Sequence, residues 1–412
     1  MTYKRTALLT LLALALSATV AMGAPPRRAA MPAKVVAAKA VRLVVAPASV
    51  HLIGAQAAQH LLVTAFFADG SQRDVTDSAV FTSSAPKVAT VVGSDVVPKS
   101  DGAAAVVVKW NGLSAKAPVS TTGTLKPINY SFVDDVVPVL SRLGCSQGTC
   151  HGAAQGKGGF RLSLRGYAPE IDIVSITRQL GGRRISREVP ENSLFLRKPL
   201  AEVSHRGGKR LDMNSREYAI LLGWLREGTP GPTGKEAALA KLEILPGDRQ
   251  MKPLEKQRLL VRATFADGRT EDVTDRALYN SNDVALATVD ESGLVTMQRA
   301  GETAVTMKYM DKMAVMRVLS PFNQKVADTA FTASNNYIDP LVNAKLKQLH
   351  IEPSGQCTDD EFLRRAYLDA IGTLPTTEEA QTFLDSKDTQ KREKLVDTLL
   401  QRPEYGEIWA LK

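Results

Sequence analysis

The chain has 412 residues, which is too many for one ordinary hydrophobic core, so we expect two to four domains. Hydrophobic residues make up 44% and charged residues 23%, values typical of globular proteins. The net charge of +9 is not gathered into a basic run, and the sequence has no zinc-finger spacing or helix-turn-helix signature. This composition therefore argues against a nucleic-acid-binding protein.

The N-terminus has the pattern of an export signal. Lys4 and Arg5 precede an apolar run over residues 7–20, and small residues follow it. An uncleaved membrane anchor is the alternative, but the run is short for a bilayer span. We predict a signal peptide over residues 1–23 and a linker over residues 24–40, with export to the periplasm or cell envelope, where disulfides and covalent haem can both form.

One β-rich module occurs twice. The segment LLVTAFFADGSQRDVTD at residues 61–77 returns as LLVRATFADGRTEDVTD at residues 259–275, with a constant offset of 198 residues. In both copies apolar residues alternate with other residues, which predicts strands with one buried face, and an Asp-Gly pair predicts a tight hairpin turn. We therefore predict two β-sandwiches, over residues 41–124 and 238–320. The residues expected to face the two cores are Val63, Ala65 and Phe67, and Val261, Ala263 and Phe265.

These two copies resemble the bacterial Ig-like domain of group 2, because FADG is followed by DVTD and then by a strand ending in Ala-Thr-Val. The resemblance implies all-β Ig-like sandwiches that act as spacers. The acids of the motif could suggest calcium, but roles in turns and at strand ends are favoured. These acids are Asp69, Asp74 and Asp77 in the first copy and Asp267, Asp272 and Asp275 in the second.

Between the copies, residues 145–152 read CSQGTCHG. A Cys-His pair with a second cysteine upstream suits covalent haem attachment, because two thiols can form thioethers while the imidazole binds the iron. Four residues separate the cysteines instead of the usual two, and Gly148 would relax this longer loop. A Cys145–Cys150 disulfide and a metal site remain as alternatives. We predict haem c attached to Cys145 and Cys150, with His151 as an axial ligand.

The flanks of this motif predict an α-helical, cytochrome c-like module over residues 125–235. Apolar residues at helical spacing lead into the motif, and Ser215 can cap a second helix with a Leu-rich stripe. Any small helical domain is the alternative. His205 is the expected second iron ligand and Met213 its rival, although His205 could instead only hydrogen-bond a propionate. Six basic residues could pair with the haem propionates or with an acidic redox partner, or they could simply be solvated surface charge. These residues are Arg183, Arg184, Arg187, Arg206, Lys209 and Arg210.

Residues 335–412 are predicted to be α-helical. Thr358 with Glu361, and Thr376 with Glu379, have the spacing of capping boxes, and each pair opens an apolar-periodic run. In the first helix the expected core stripe is Phe362, Leu363, Ala366, Tyr367 and Ala370.

Several longer segments extend the resemblance. FVDDVVPVLSRLGCSQGTCHG, GKGGFRLSLRGY and SHRGGKRLDMNSREYAILLGWLREG are similar to the haem module of large exported proteins from planctomycete-type bacteria. FLRRAYLDAIGTLPTTEEAQTFL and RPEYGEIWALK resemble the start of the helical domain of unknown function in those proteins, which continue where this chain stops, so a truncated copy is expected.

The resemblance implies an exported haem protein for electron transfer or redox sensing, with a redox protein or an envelope component as its partner. The alternative is a structural or adhesive envelope protein with a Cys145–Cys150 disulfide and no haem. The sequence contains no G-x-S-x-G, H-E-x-x-H or comparable catalytic motif, so it provides no support for an enzymatic role.

Overall fold

The computed structural model describes residues 38–332 and 336–412. The predicted signal peptide and most of the predicted linker lie outside the described residues. The chain is multidomain, with a β-rich region of several sheets followed by a helical C-terminal segment. Within the described ranges, no helix is both long enough and apolar enough to cross a membrane.

The first β region, residues 38–124, contains ten strands: β1 (Ala40–Ala46), β2 (Val50–Ile53), β3 (Gln59–His60), β4 (Leu62–Phe67), β5 (Gln72–Asp74), β6 (Val80–Ser83), β7 (Ala89–Val92), β8 (Asp95–Pro98), β9 (Gly102–Trp110) and β10 (Leu113–Thr122). They form three sheets, ordered β1-β4-β5, β2-β10-β9-β6 and β3-β8-β7. Their apolar faces enclose one hydrophobic cluster.

The second β region, residues 238–320, follows the middle segment and also has ten strands: β11 (Leu239–Leu245), β12 (Arg249–Gln250), β13 (Lys256–Arg258), β14 (Leu260–Phe265), β15 (Thr270–Asp272), β16 (Leu278–Ser281), β17 (Ala287–Val289), β18 (Leu294–Met297), β19 (Gly301–Tyr309) and β20 (Lys312–Ser320). Its sheets are ordered β11-β14-β15, β12-β20-β19-β16 and β13-β18-β17. Each sheet therefore has a counterpart in the first region, and this region also has a hydrophobic cluster of its own.

The predicted alternation is confirmed in both copies. Val63 and Ala65 are fully buried, as are their counterparts Val261 and Ala263, while the intervening residues are half-buried. The hairpin turn is also confirmed: Gly70 has a φ of +80°, a conformation that glycine adopts without steric cost. The local pattern was sufficient here because one face of each strand packs on the core and the other does not.

The middle segment, residues 125–237, has four short helices: α1 (Val137–Arg142), α2 (Pro169–Thr177), α3 (Leu194–Arg197) and α4 (Arg216–Arg226). The predicted cap on α4 is confirmed, since the Ser215 side chain accepts a hydrogen bond from the Tyr218 backbone N–H. A π-helical turn at Phe132–Val136 runs directly into α1, and Pro138 is the second residue of α1.

The prediction of a cytochrome c-like helical module is not supported by this fold. The longest of the four helices has 11 residues, and loops and turns make up most of the segment. The loops between the helices contain glycines with a positive φ, at Gly156, Gly158, Gly159, Gly181 and Gly182. A short hydrophobic cluster around the fully buried Trp224 holds the segment together.

The C-terminal segment contains five helices: α5 (Asp339–Leu349), α6 (Asp359–Ile371), α7 (Thr377–Asp385), α8 (Lys391–Leu400) and α9 (Pro403–Leu411). Both capping boxes are confirmed, at the starts of α6 and α7. The expected stripe of α6 is confirmed as well, because its residues are buried in, or packed against, a small cluster with Phe383 and Leu399.

Candidate functional site

The cysteine motif folds into a compact loop in the middle segment. The His151 backbone N–H donates to the Cys145 carbonyl over 3.0 Å, and the Cys150 N–H donates to the Gln147 carbonyl over 2.9 Å. A Cβ at Gly152 would lie 2.0 Å from the Ser146 carbonyl oxygen, so only glycine fits there. This loop forms one wall of a cavity of about 850 Å³.

The two cysteines have free thiols and both line the cavity. Burial raises the pKa of Cys145 to about 12, and the neighbouring Cys150 adds to the shift. Cys145 is therefore a neutral thiol at physiological pH, because its thiolate would be poorly solvated. The closed loop brings both thiols to the same wall of the cavity.

His151 and His205 face the same cavity from different loops. Their ring centroids are 6.4 Å apart, and the two ring planes differ by 14°. The Nδ1 atom of His151 is 3.0 Å from the Phe160 carbonyl oxygen, and that of His205 is 2.8 Å from the Gly208 carbonyl oxygen. Burial lowers the pKa of His151, and the positive potential from His205 lowers it further, although the contact with the Phe160 carbonyl opposes both.

The structure therefore brings together four of the five site residues predicted from sequence. Cys145, Cys150, His151 and His205 all line the cavity, although the segment from the motif to His205 spans more than 50 residues. Met213, the rival ligand, is 57% exposed and lies away from the lining.

Apolar residues and cations make up most of the remaining wall. The apolar part includes residues that the sequence did not single out, because loops and α3 carry them to the site: Phe160, Leu180, Leu194 and Phe195. The cations at the cavity are Lys157, Arg183, Arg184, Lys198, Arg206 and Arg210, and no carboxylate lines it in the described part of the chain. Such a surface suits a ligand with an apolar body and anionic groups.

Arg184 is the most buried of these cations. Its guanidinium donates to the Ser175 carbonyl over 2.9 Å and to the Gly159 carbonyl over 2.6 Å, and it lies 4.6 Å from the centre of the Phe160 ring. Burial lowers the pKa of Arg184, and the charge of Arg183 lowers it further. These contacts fix the side chain without a counter-ion, and an anionic ligand would supply one.

Three kinds of similarity to known proteins were found. A family model described as "PSCyt2: Protein of unknown function (DUF1549)" matches residues 337–412, which confirms the expected helical domain of unknown function at this end of the chain. An S-layer-related protein of Niallia circulans is 38% identical over 85 residues. That alignment covers 21% of this chain and 5% of the relative, so the chain spans only a small part of the curated protein it matches.

Solved structures of the surface layer protein SbsC are also similar in part. The alignment with SbsC domains 5–6 covers 69% of this chain and 99% of the SbsC chain, with 12% identity and a TM-score of 0.28. The alignment with SbsC domains 1–6 covers 70% of this chain and 29% of the SbsC chain, with 13% identity and a TM-score of 0.20. The predicted export is confirmed, and the chain is an exported protein of the cell envelope.

The prediction of covalent haem c is wrong. The described residues contain no group of three or more His, Cys, Asp and Glu side chains that could hold a metal ion, and the curated relative is an S-layer-related protein. The spacing of Cys145 and Cys150 also differs from the two-residue spacing of the usual attachment motif. The predictions of electron transfer and redox sensing depended on the haem and are corrected with it, and nothing supports the predicted redox partner.

Proposed function

We propose that this protein is a structural or adhesive component of the cell envelope, built from two Ig-like sandwiches joined through the middle segment, with a Cys145–Cys150 disulfide. The observation that carries the proposal is the direct packing of the three parts into one body. Tyr130 and Arg216 of the middle segment contact Gln56 of the first β region. Direct contacts of this kind between the parts support a structural function.

Contacts with the second β region complete this body. Arg142 donates to the carbonyls of Ala277 and Glu291, each over 2.8 Å, and Arg269 pairs with Asp134 at 3.1 Å. The similarity to an S-layer-related protein supports the same function. The matching sheet orders of the two β regions support the Ig-like part of the proposal, and an oxidising compartment would favour the disulfide.

The test is co-sedimentation of the purified full chain with isolated envelope fragments of the source bacterium. The expected result is saturable binding by a chain whose intact mass is that of the mature polypeptide less two hydrogens. A Cys145→Ser/Cys150→Ser variant is the matched control for the disulfide. A chain that stays in the supernatant over the whole concentration range would contradict the structural function, and an unoxidised mass would contradict the disulfide.

The cavity supports a second function, binding of a ligand with an apolar body and anionic groups. The supporting observation is the set of six cations around largely apolar walls. A suitable probe is 1-anilinonaphthalene-8-sulfonate, and its uncharged analogue N-phenyl-1-naphthylamine is the matched control. We expect the sulfonate to bind at least about tenfold more tightly than the uncharged probe, because one charge-assisted contact contributes about 1.5–3 kcal/mol.

Substitutions at the cavity test whether the probe binds there. Arg206→Gln/Arg210→Gln should remove the preference for the sulfonate, whereas Lys116→Gln, on the exposed face of β10, should leave it unchanged. Equal affinity for the two probes in the unmodified chain would contradict the anionic part of the proposal. Equal loss in both variants would show that the probe binds outside the cavity.

A further inference from the structure

The two β regions face each other through short strands and through the Asp-Val-Thr-Asp segments of the repeat. Strand β5 of the first region contacts β13 of the second, and β15 of the second contacts β3 of the first. Strands β5 and β15 are counterparts in the repeat, and so are β3 and β13. Each region thus presents the same two elements to the other.

Asp74 carries one half of the contact. Its Oδ1 atom accepts hydrogen bonds from the backbone N–H and the hydroxyl of Thr76, over 2.9 and 2.5 Å, and so fixes the turn after β5. Its Oδ2 atom reaches the other region and accepts from the Arg258 backbone N–H over 2.5 Å and from Gln257 Nε2 over 3.1 Å. One carboxylate therefore closes its own turn and binds the partner strand.

Asp272 carries the other half with the same atoms. Its Oδ1 accepts from the N–H and hydroxyl of Thr274, over 2.9 and 2.6 Å. Its Oδ2 accepts from the His60 backbone N–H over 2.7 Å and from Gln59 Nε2 over 2.9 Å. Every residue in this half lies 198 positions from its counterpart in the first half.

A second acid in each region completes the symmetry. Asp77 pairs with Arg258 Nε at 2.5 Å, and Asp275 pairs with His60 Nε2 at 3.3 Å. At the matched cation position, arginine lies in one half and histidine in the other. Asp95 of β8 also faces His60, at 3.4 Å, whereas its counterpart at position 293 is a glycine.

Histidine can replace arginine because it is cationic here. Burial opposes the charge of His60, but hydrogen bonds and ion pairing with Asp272 and Asp275 outweigh burial and raise its pKa to about 11. Both halves of the contact therefore place a cation against the two repeated carboxylates at neutral pH, and Asp95 adds a third carboxylate beside His60.

We propose that this surface is a homotypic docking surface, by which a module of this type recognises a second copy of itself. The partner of each surface is the other module of the same chain. In such an isologous contact, residue i of one copy meets residue j of the other and j meets i, as observed for all four acids. Because each copy uses its surface fully, the pair is closed and does not extend into a filament through this contact.

Self-recognition predicts that the two halves can carry the same cation. His60→Arg gives both halves a Gln-Arg pair against the two repeated acids, and Arg258→His gives both halves a Gln-His pair. At pH 6 both variants of the full chain should melt within about 2 °C of the unmodified chain, since each keeps a cation against the repeated acids in both halves. His60→Gln and Arg258→Gln each remove one cation and should each lower the melting temperature by about 3 °C or more.

Lys116→Gln, away from the contact, is the control and should leave the melting temperature unchanged. If both symmetric variants melt as low as the Gln variants, the surface does not recognise itself and the proposal fails. If only one of the two Gln variants lowers the melting temperature, the two halves are not equivalent, and this result also overturns the proposal. The result does not depend on envelope binding, so it can fail or succeed independently of the proposed function.

Discussion

His60 should make the stability of this chain fall as the pH rises above neutrality. Its folded-state pKa of about 11 lies above the ordinary value of 6.5, so the folded chain keeps a proton that the unfolded chain releases. The contribution of His60 to the free energy of unfolding is therefore complete below pH 6.5 and decreases progressively as the pH rises to about 11. The imidazolium is lost together with its contacts to Asp272 and Asp275.

The size of the effect follows from proton linkage. Between pH 7 and pH 9 one proton separates the folded from the unfolded chain at His60, so the free energy of unfolding falls by about 1.4 kcal/mol per pH unit. Over these two units the loss is about 2.7 kcal/mol, a large fraction of the stability of an ordinary domain. His60→Arg should remove this loss, because a guanidinium keeps its charge throughout the range.

The assay is urea unfolding followed by far-ultraviolet circular dichroism at pH 7 and pH 9. The difference between the unmodified chain and His60→Arg isolates this one group, since all other titrations are shared. Arg258→His should steepen the pH dependence, as it adds a second titrating imidazole at the matching position. If the unmodified chain and His60→Arg lose the same free energy over this range, the cationic state of His60 is refuted.

Three further outcomes are expected. Reducing a Cys145–Cys150 disulfide should lower the free energy of unfolding by about 2 kcal/mol, from the entropy of closing a six-residue loop, as measured by urea titration with and without dithiothreitol. Gly152→Ala should unfold the middle segment, because the new Cβ would lie 2.0 Å from the Ser146 carbonyl oxygen, and limited proteolysis should then cut within residues 125–237. Gly223→Ala should cost about 1–3 kcal/mol and increase proteolysis around Tyr130, whose ring lies 2.0 Å from the added Cβ, while unchanged protection would contradict this packing.

The haem prediction shows how a local motif can mislead. Cys145, Cys150 and His151 have the residue types of an attachment site, but residue types in one short segment do not specify the rest of a coordination set. The helical framework inferred around them depended on periodicity near Phe132 and Leu221. Both residues are indeed buried in one cluster, yet the chain between them forms loops and short helices. Core stripes of this kind arise in any small domain, so they could not distinguish one fold from another.

By itself, the sequence determined the features that depend on neighbouring residues. The 198-residue repeat, the buried alternation at Val63 and Ala65, the Asp-Gly turn at Gly70 and the capping box at Thr358 all follow from interactions within a few positions. These preferences act on any chain with the same local pattern. They are therefore readable before the fold is known.

Only the tertiary structure decided what the repeated acids do. Asp74 and Asp272 were correctly expected to close turns, and their Oδ1 atoms do so. Their Oδ2 atoms, however, bind strands that lie more than 180 residues away in sequence. The cavity lined by His151 and His205 has the same origin, because it is enclosed by loops that are distant in sequence. No local preference encodes such contacts, since they depend on the relative placement of parts that lie far apart along the chain.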